Sequence, residues 1–403
     1  MEKQIQRPQA ILKMHSFEFI SLSACTMMLT ALGIDVMLPA FGEVRRHFGL
    51  APDSTAAAQI ISFFFMGQIA QILFGALSDS WGRLATLRLG FPLYIVGGIA
   101  AAFAPTLTVM FIARFISGVG ASAVFMTTIA GVRDRYVGDE MARIMSLIFT
   151  IFLFTPVAAP FLGVAILSVS TWQVVFLAPP IFAVIVFFWS LRLEESLPPE
   201  KRVPLRWTSI KQSVLHVLAN RTFLRYTLVA TLLFTVLSAY ISSSEHIVGE
   251  IYARPHLFPW IFGGMGLLMS FCSFTNSYLS SKFGARRTVQ TLLIIYTVIA
   301  AGLLVVVFVT QDPPDMVVFF VVISVLMSLN LAIEPNSSSL ALEPMGDTAG
   351  MASAVYGTFF FSVGASLGAL ISYFLTHGIF ALALSFFVAG VIAVALVTRN
   401  KRK

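Results

Sequence analysis

Apolar residues fall in long runs along this chain, separated by short polar intervals. Twelve such stretches are evident, at approximately 17–39, 56–77, 86–104, 107–130, 142–168, 172–191, 223–247, 257–280, 288–310, 315–337, 349–375 and 378–398. A helix needs about 20 apolar residues to cross the hydrocarbon core, and in lipid it satisfies its backbone polar groups internally. The run from Ile20 to Leu38 follows Lys3, Arg7 and Lys13. It is too long for a signal-peptide core and no small-residue cleavage site follows, so it reads as a retained first span. The pattern predicts an all-α membrane protein with 12 transmembrane helices.

The polar intervals set an expected orientation. With the N-terminus on the cytoplasmic side, 22 of the 26 Lys and Arg residues fall inside; only Arg45, Arg46 and Arg254 fall outside, and Arg114 lies within a span. Positive residues collect on the cytoplasmic face, so both termini are expected there, with an even number of spans. The longest polar segment, Arg192 to Arg225, divides six spans from six. The expected division is 1–191, a six-helix bundle; 192–222, a cytoplasmic linker; and 223–403, a second six-helix bundle. Within the linker, Ile210, Val214, Leu215 and Leu218 have helical spacing. That pattern fits an amphipathic helix on the inner leaflet or an ordinary connector. The halves also repeat weakly. At an offset of 202, Leu77, Ser78, Trp81 and Gly82 meet Leu279, Ser280, Phe283 and Gly284, each set following the second span of its half. Duplicated six-helix units are typical of secondary transporters.

Composition narrows the class. The chain has 403 residues, 58% hydrophobic and 11% charged, against about 45–50% and about 25% in soluble chains. The net charge of +7 does not indicate nucleic acid, because the basic residues sit between apolar runs as topology signals do. Cys25 and Cys272 lie inside apolar stretches and read as buried, unpaired thiols. No metal-ligand spacing, phosphate-binding Gly-Lys-Ser/Thr loop, H-E-x-x-H or G-x-S-x-G is present. Direct ATP drive and enzyme activity are therefore not expected, and neither is a cofactor or a metal.

The segment GALSDSWGR carries the most information. Gly75 is small where two helices must approach, Asp79 places an acid at the cytoplasmic mouth, Gly82 allows a tight turn, and Arg83 holds the inside by charge. This loop resembles the signature between spans 2 and 3 of the major facilitator superfamily, with Ser80 and Leu84 where that family usually has basic residues. IDVMLPAF (Asp35, Pro39) and MGQIAQILFGALSD (Gln68) resemble spans 1 and 2 of its bicyclomycin and chloramphenicol (Bcr/CflA) efflux group. RFISGVGAS (Arg114) resembles the superfamily's span 4 motif, with Ser117 in place of a common Gln. PVAAPFLG (Pro160, Gly163) resembles the span 5 motif of antiporters, with Val164 replacing a second Gly. EPNSSSLALEPMGDTAGMASA resembles the group's region from span 10 to span 11. The resemblance covers nearly the whole chain and implies two six-helix halves around a central cavity.

Charges inside the spans need a reason, because each costs at least about 2.5–3.5 kcal/mol at the bilayer centre. Asp35 is a candidate proton carrier, or else an acid capping the outer interface. Arg114 cannot lose its proton; it is a candidate countercharge to Asp35, direct or through water, or else it snorkels outward. Glu245 ends span 7, and Glu334 precedes Pro335 and Asn336 in span 10. Together with Gln68 they are candidates for the substrate cavity, the glutamates also for proton coupling or an interface. The expected activity is proton-coupled efflux of small amphipathic compounds by alternating access, from a monomer in a bacterial inner membrane whose partners are substrate, protons and lipid. The same motifs would serve an exporter or importer of one endogenous metabolite, such as a siderophore or an amino acid. A sensor would usually carry an attached soluble domain, and a channel would need no proton-linked acid.

Overall fold

The computed structural model describes residues 14–52, 54–310 and 312–398, and it is helical with no β-strand among them. Twelve helices are long and apolar enough to cross a membrane. They are span 1 (Ser16–His47), span 2 (Thr55–Trp81), span 3 (Arg83–Ala102), span 4 (Leu107–Arg135), span 5 (Arg143–Leu167) and span 6 (Trp172–Ser190). After a linker come span 7 (Arg221–Ile251), span 8 (Pro255–Phe283), span 9 (Ala285–Val309), span 10 (Met316–Gly346), span 11 (Ala349–Tyr373) and span 12 (Phe380–Thr398). The predicted ends differ most at spans 1 and 10. There a regular helix stops at Asp35 or Leu342, and tighter or shorter helical pieces carry the chain on. The bundle end that holds Ser16, the Asp79 loop and the linker is called the basic end here, and its opposite the far end. The terminal residues Lys3, Arg7, Lys13 and Arg399 to Lys403 lie outside the described residues.

The repeat visible in the sequence has a structural counterpart. Gly82 and Gly284 each precede the third span of their half, with φ of 102° and 79°. A residue with a Cβ is strained there, whereas glycine turns the chain at no steric cost. Spans 2 and 11 pack across the halves, as do spans 5 and 8. Large apolar side chains such as Phe103, Ile112, Phe188, Trp260, Val298 and Phe308 face outward. In a soluble protein such a surface would aggregate; in a bilayer it is the solvated one.

The linker does two things. Trp207–Ala219 is a helix, as the spacing predicts. Val217 is buried there while Leu215 is 56% exposed. The stripe turned toward the protein is thus Ile210, Val214, Val217 and Leu218, a correction of one position to the predicted face. Residues 192–205 instead bind back to the first half. Val203 N–H donates to the Asp79 carbonyl at 3.1 Å, and Leu205 packs against Phe74, Leu77 and Ala123.

Candidate functional site

Span 1 is broken where its acid lies. The helix ends at Asp35, and Pro39 sits in the tight turn Leu38–Ala40 that follows. Met37 N–H bonds back to Ile34, so the Gly33 carbonyl loses its usual i+4 donor. Arg114 of span 4 supplies one: its Nη2 donates to Gly33 O, its Nε to Ile60 O at 3.5 Å, and its guanidinium lies 4.4 Å over the Phe64 ring. Arg114 is 1% exposed and Asp35 4%, yet the two form no ion pair within 4.0 Å. The candidate countercharge is thus engaged two residues from the acid, on backbone. Span 5 closes the other side of the break. A Cβ on Gly163 would run into the Val36 carbonyl oxygen and stand 3.2 Å from Pro39 Cγ, so only glycine permits this approach. Pro160, one turn earlier, is also buried. Val164, which replaces the second glycine, points outward and costs this contact nothing.

At the far end the two halves are joined by a buried ion pair. Arg45 Nη1 and Nη2 donate to Glu245 Oε2 at 2.8 Å and Oε1 at 3.0 Å, and Nη2 also reaches Glu250 Oε1 at 3.3 Å. The side chains are 4% exposed for Arg45 and 11% for Glu245. Residues five apart on a regular α-helix point about 140° away from each other. Here the wider π-type turn Ile247–Ile251 brings Glu250 to the same arginine as Glu245. Sequence reasoning placed Glu245 among cavity candidates and treated Arg45 as a loop charge. The readable signal was the repeat: position 45 plus the offset of 202 falls at 247, so the ends of spans 1 and 7 are equivalent and meet.

Midway along the bundle, rings from both halves interlock. Phe65 of span 2 lies 5.0 Å from Phe234 of span 7 and 5.9 Å from Phe361 of span 11. Phe234 touches Phe360 at 4.4 Å, and Phe125 of span 4 meets Phe361 at 6.4 Å. Both contacting helices are irregular here: span 2 tightens at Gln68–Ala70 and span 11 widens over Thr358–Val363. Ser362 Oγ donates to the Met66 carbonyl at 3.2 Å. Gln68 is buried and accepts from Gln71 Nε2 at 3.0 Å, while its own Nε2 has no acceptor among the described residues. Glu334 accepts from Tyr356 Oη at 3.1 Å, and Tyr356 stacks on Phe360. Asn336 turns away from this group. It donates to Asn276 Oδ1 at 2.8 Å and accepts from Ser280 Oγ at 2.6 Å, which ties span 10 to span 8.

At the basic end, Gly75 lies against Ala354 of span 11, where a Cβ would just make contact at 3.5 Å. Asp79 pairs with Arg83 at 2.6 Å, and Arg83 also binds Asp134 at 2.8 Å. Gly82 offers no side chain to cap span 3. Glu195 of the linker does so instead, accepting from the N–H groups of Arg83 and Leu84 at 2.9 and 3.1 Å. A cavity of about 490 Å³ opens at this end, lined by Ser16, Ile20, Tyr136, Arg143, Leu147 and Thr150 among others. No cluster of three or more His, Cys, Asp or Glu that could hold a metal exists among the described residues.

Comparison with known proteins agrees with this architecture. The family profile described as Major Facilitator Superfamily matches residues 23–369. An uncharacterized MFS-type transporter of Bacillus subtilis, YdgK, is 28% identical over 84% of this chain and 85% of its own. A bicyclomycin resistance protein homolog of Haemophilus influenzae is 28% identical over 89% of each chain. The multidrug resistance protein MdtL of Shigella flexneri is 26% identical over 69% of this chain and 70% of its own. Among solved structures, the human organic anion transporter MFSD10 superposes with a TM-score of 0.72 at 16% identity, covering 95% of this chain and 99% of its own. A D-xylose–proton symporter gives 0.70 at 16%, covering 96% and 99%.

Proposed function

Because this chain belongs to the major facilitator superfamily of membrane transporters, we propose that it exports small amphipathic compounds from a bacterial cell in exchange for protons. The basic end faces the cytoplasm. Drug-resistance relatives along most of the chain support the substrate class. The observation that carries the coupling is Asp35: a buried acid without an ion pair among the described residues, at the break in span 1, between the ring layer and the far-end pair. Loss of water favours the neutral carboxyl, and a neighbouring cation or water favours the charged one. An acid at a helix break that alternates between such surroundings can load and release a proton. Arg114 keeps the broken end of span 1 attached to span 4 and stands ready as a countercharge. The Arg45–Glu245 pair closes the far side; in this reading substrate enters from the basic end and leaves when the pair parts.

The test is a matched pair of assays in proteoliposomes with Asp35→Asn. This change keeps size and removes the titratable proton. Efflux driven by a pH gradient is expected to vanish, while substrate exchange without net proton movement persists. Gradient-driven efflux at the wild-type rate in Asp35→Asn would remove this residue from the mechanism.

A further inference from the structure

Glu334 is a carboxylate in the middle of a membrane helix with no cationic partner within 4.0 Å among the described residues. It accepts from the Tyr356 hydroxyl at 3.1 Å. The far-end carboxylate Glu245 has a full guanidinium, and the basic-end acids Asp79 and Asp134 share Arg83. Glu334 alone of these four lacks a charge to balance it. Its position is also distinctive. It lies 18 residues into span 10, and Tyr356 lies seven residues into span 11 from the basic end. At about 1.5 Å per residue the pair sits within about 20 Å of the basic end, Glu334 level with the ring layer and Tyr356 on its basic side.

Aromatic faces border the same spot. Tyr356 and Phe360 are nearly parallel, 11° apart with centroids at 6.0 Å. Phe360 continues into Phe234 and Phe361, and through them to Phe65 of the other half. The widened turn Thr358–Val363 is what groups Phe360 and Phe361 here, and such turns recur at functional sites. Phe360 and Phe361 are only partly buried. A ring face attracts a cation, most strongly where water is excluded. A carboxyl with no cation of its own can ionise against the same guest, and neither group gains as much from a neutral one.

The geometry points to Glu334, Tyr356, Phe360 and Phe361 as a recognition site for hydrophobic organic cations, with Glu334 determining specificity for charge. This deepens the export reading and rests on it. A cation bound here would lie at the ring layer, nearer the basic end than Asp35 is. Because the rings come from both halves, seating a guest against them would alter how the halves meet.

The test uses two probes of nearly one shape: methyltriphenylphosphonium, a cation, and triphenylphosphine oxide, which is neutral. Equilibrium binding is measured on the full chain in lipid nanodiscs. Wild type is expected to hold the cation at least tenfold more tightly than the oxide. Glu334→Gln is expected to lose at least tenfold in cation affinity and nothing for the oxide. Phe360→Leu keeps apolar bulk without a ring face, and should weaken the cation severalfold more than the oxide. Equal affinity of wild type for both probes overturns the proposal without any variant, so a poorly folding Glu334→Gln does not shelter it. Unchanged cation affinity in a folded Glu334→Gln also overturns it. Gradient-driven efflux of neutral chloramphenicol separates the two readings. If wild type and Glu334→Gln pump it alike, export stands whatever Glu334 binds; if wild type pumps neither chloramphenicol nor methyltriphenylphosphonium in the same assay, the export reading fails by itself.

Discussion

Replacing Arg45 by Gln should swing the protein toward its outward-open arrangement. In the closed state Arg45 is 4% exposed and bidentate on Glu245, with Glu250 as a second, 40% exposed acceptor. Removing the cation leaves one buried carboxylate facing another acid. Breaking a buried pair from one side costs about 3–5 kcal/mol. The open state, with these groups in water, loses only the about 0–1 kcal/mol of an exposed pair. The difference, about 3 kcal/mol, is roughly a hundredfold in the equilibrium. A wild type that is outward-open about one part in a hundred would then become about evenly divided. Glu245→Gln should shift less, because Arg45 keeps Glu250 at 3.3 Å. Spin labels at Ala51→Cys and His256→Cys, both exposed at the far end on opposite halves, report the separation once Cys25 and Cys272 are replaced by Ser. A growing long-distance population is expected, larger in Arg45→Gln than in Glu245→Gln. The exchanged pair Arg45→Glu with Glu245→Arg should return it toward wild type. Wild-type distance distributions in both single variants would refute the reasoning, as would a larger shift in Glu245→Gln.

Three further outcomes follow from the geometry. Asp79→Ala should insert and fold with stability within about 1 kcal/mol of wild type, since its side chain is 54% exposed and exposed pairs are worth little, while transport falls; Arg83→Ala should lower stability more, because it strands Asp134, and reversed stability ranks in thermal unfolding would contradict this. Gly163→Ala should lose about 1–3 kcal/mol by overpacking against the Val36 carbonyl, seen as a lower unfolding midpoint in detergent, whereas Val164→Ala leaves the midpoint unchanged. A reporter fused after Lys403 should be active only in its cytoplasmic form; periplasmic activity would invert the orientation proposed here.

The twelve spans were legible because lipid imposes one requirement on every crossing segment: enough consecutive apolar residues. Their ends were less so, because the chain beyond Asp35 and Leu342 stays helical in shorter pieces that hydropathy does not count. The buried charges Asp35 and Arg114 stood out against apolar neighbours. Their partners did not, since Arg114 binds a carbonyl released by a break in another helix, a consequence of backbone geometry. Arg45 looked like an interface charge until span 7 was laid beside span 1. Asn336 and Glu334 are two residues apart and looked like one polar patch, yet on a helix that spacing turns them to different neighbours. Glu195 was hidden inside a charged linker. The clue was Gly82, a helix start that brings no acceptor of its own.

That last contact bears on how the polypeptide is made. The acceptor for the first turn of span 3 lies more than 110 residues downstream. A nascent chain released as far as Ser190 would have all six apolar segments of the first half and still lack Glu195, Val203 and Leu205. The first bundle can complete its rim at the basic end only after synthesis has run to about Leu205. A gene cut to express the halves as two separate polypeptides should therefore be divided between Leu205 and Trp207, so that the strap travels with the fragment it fastens.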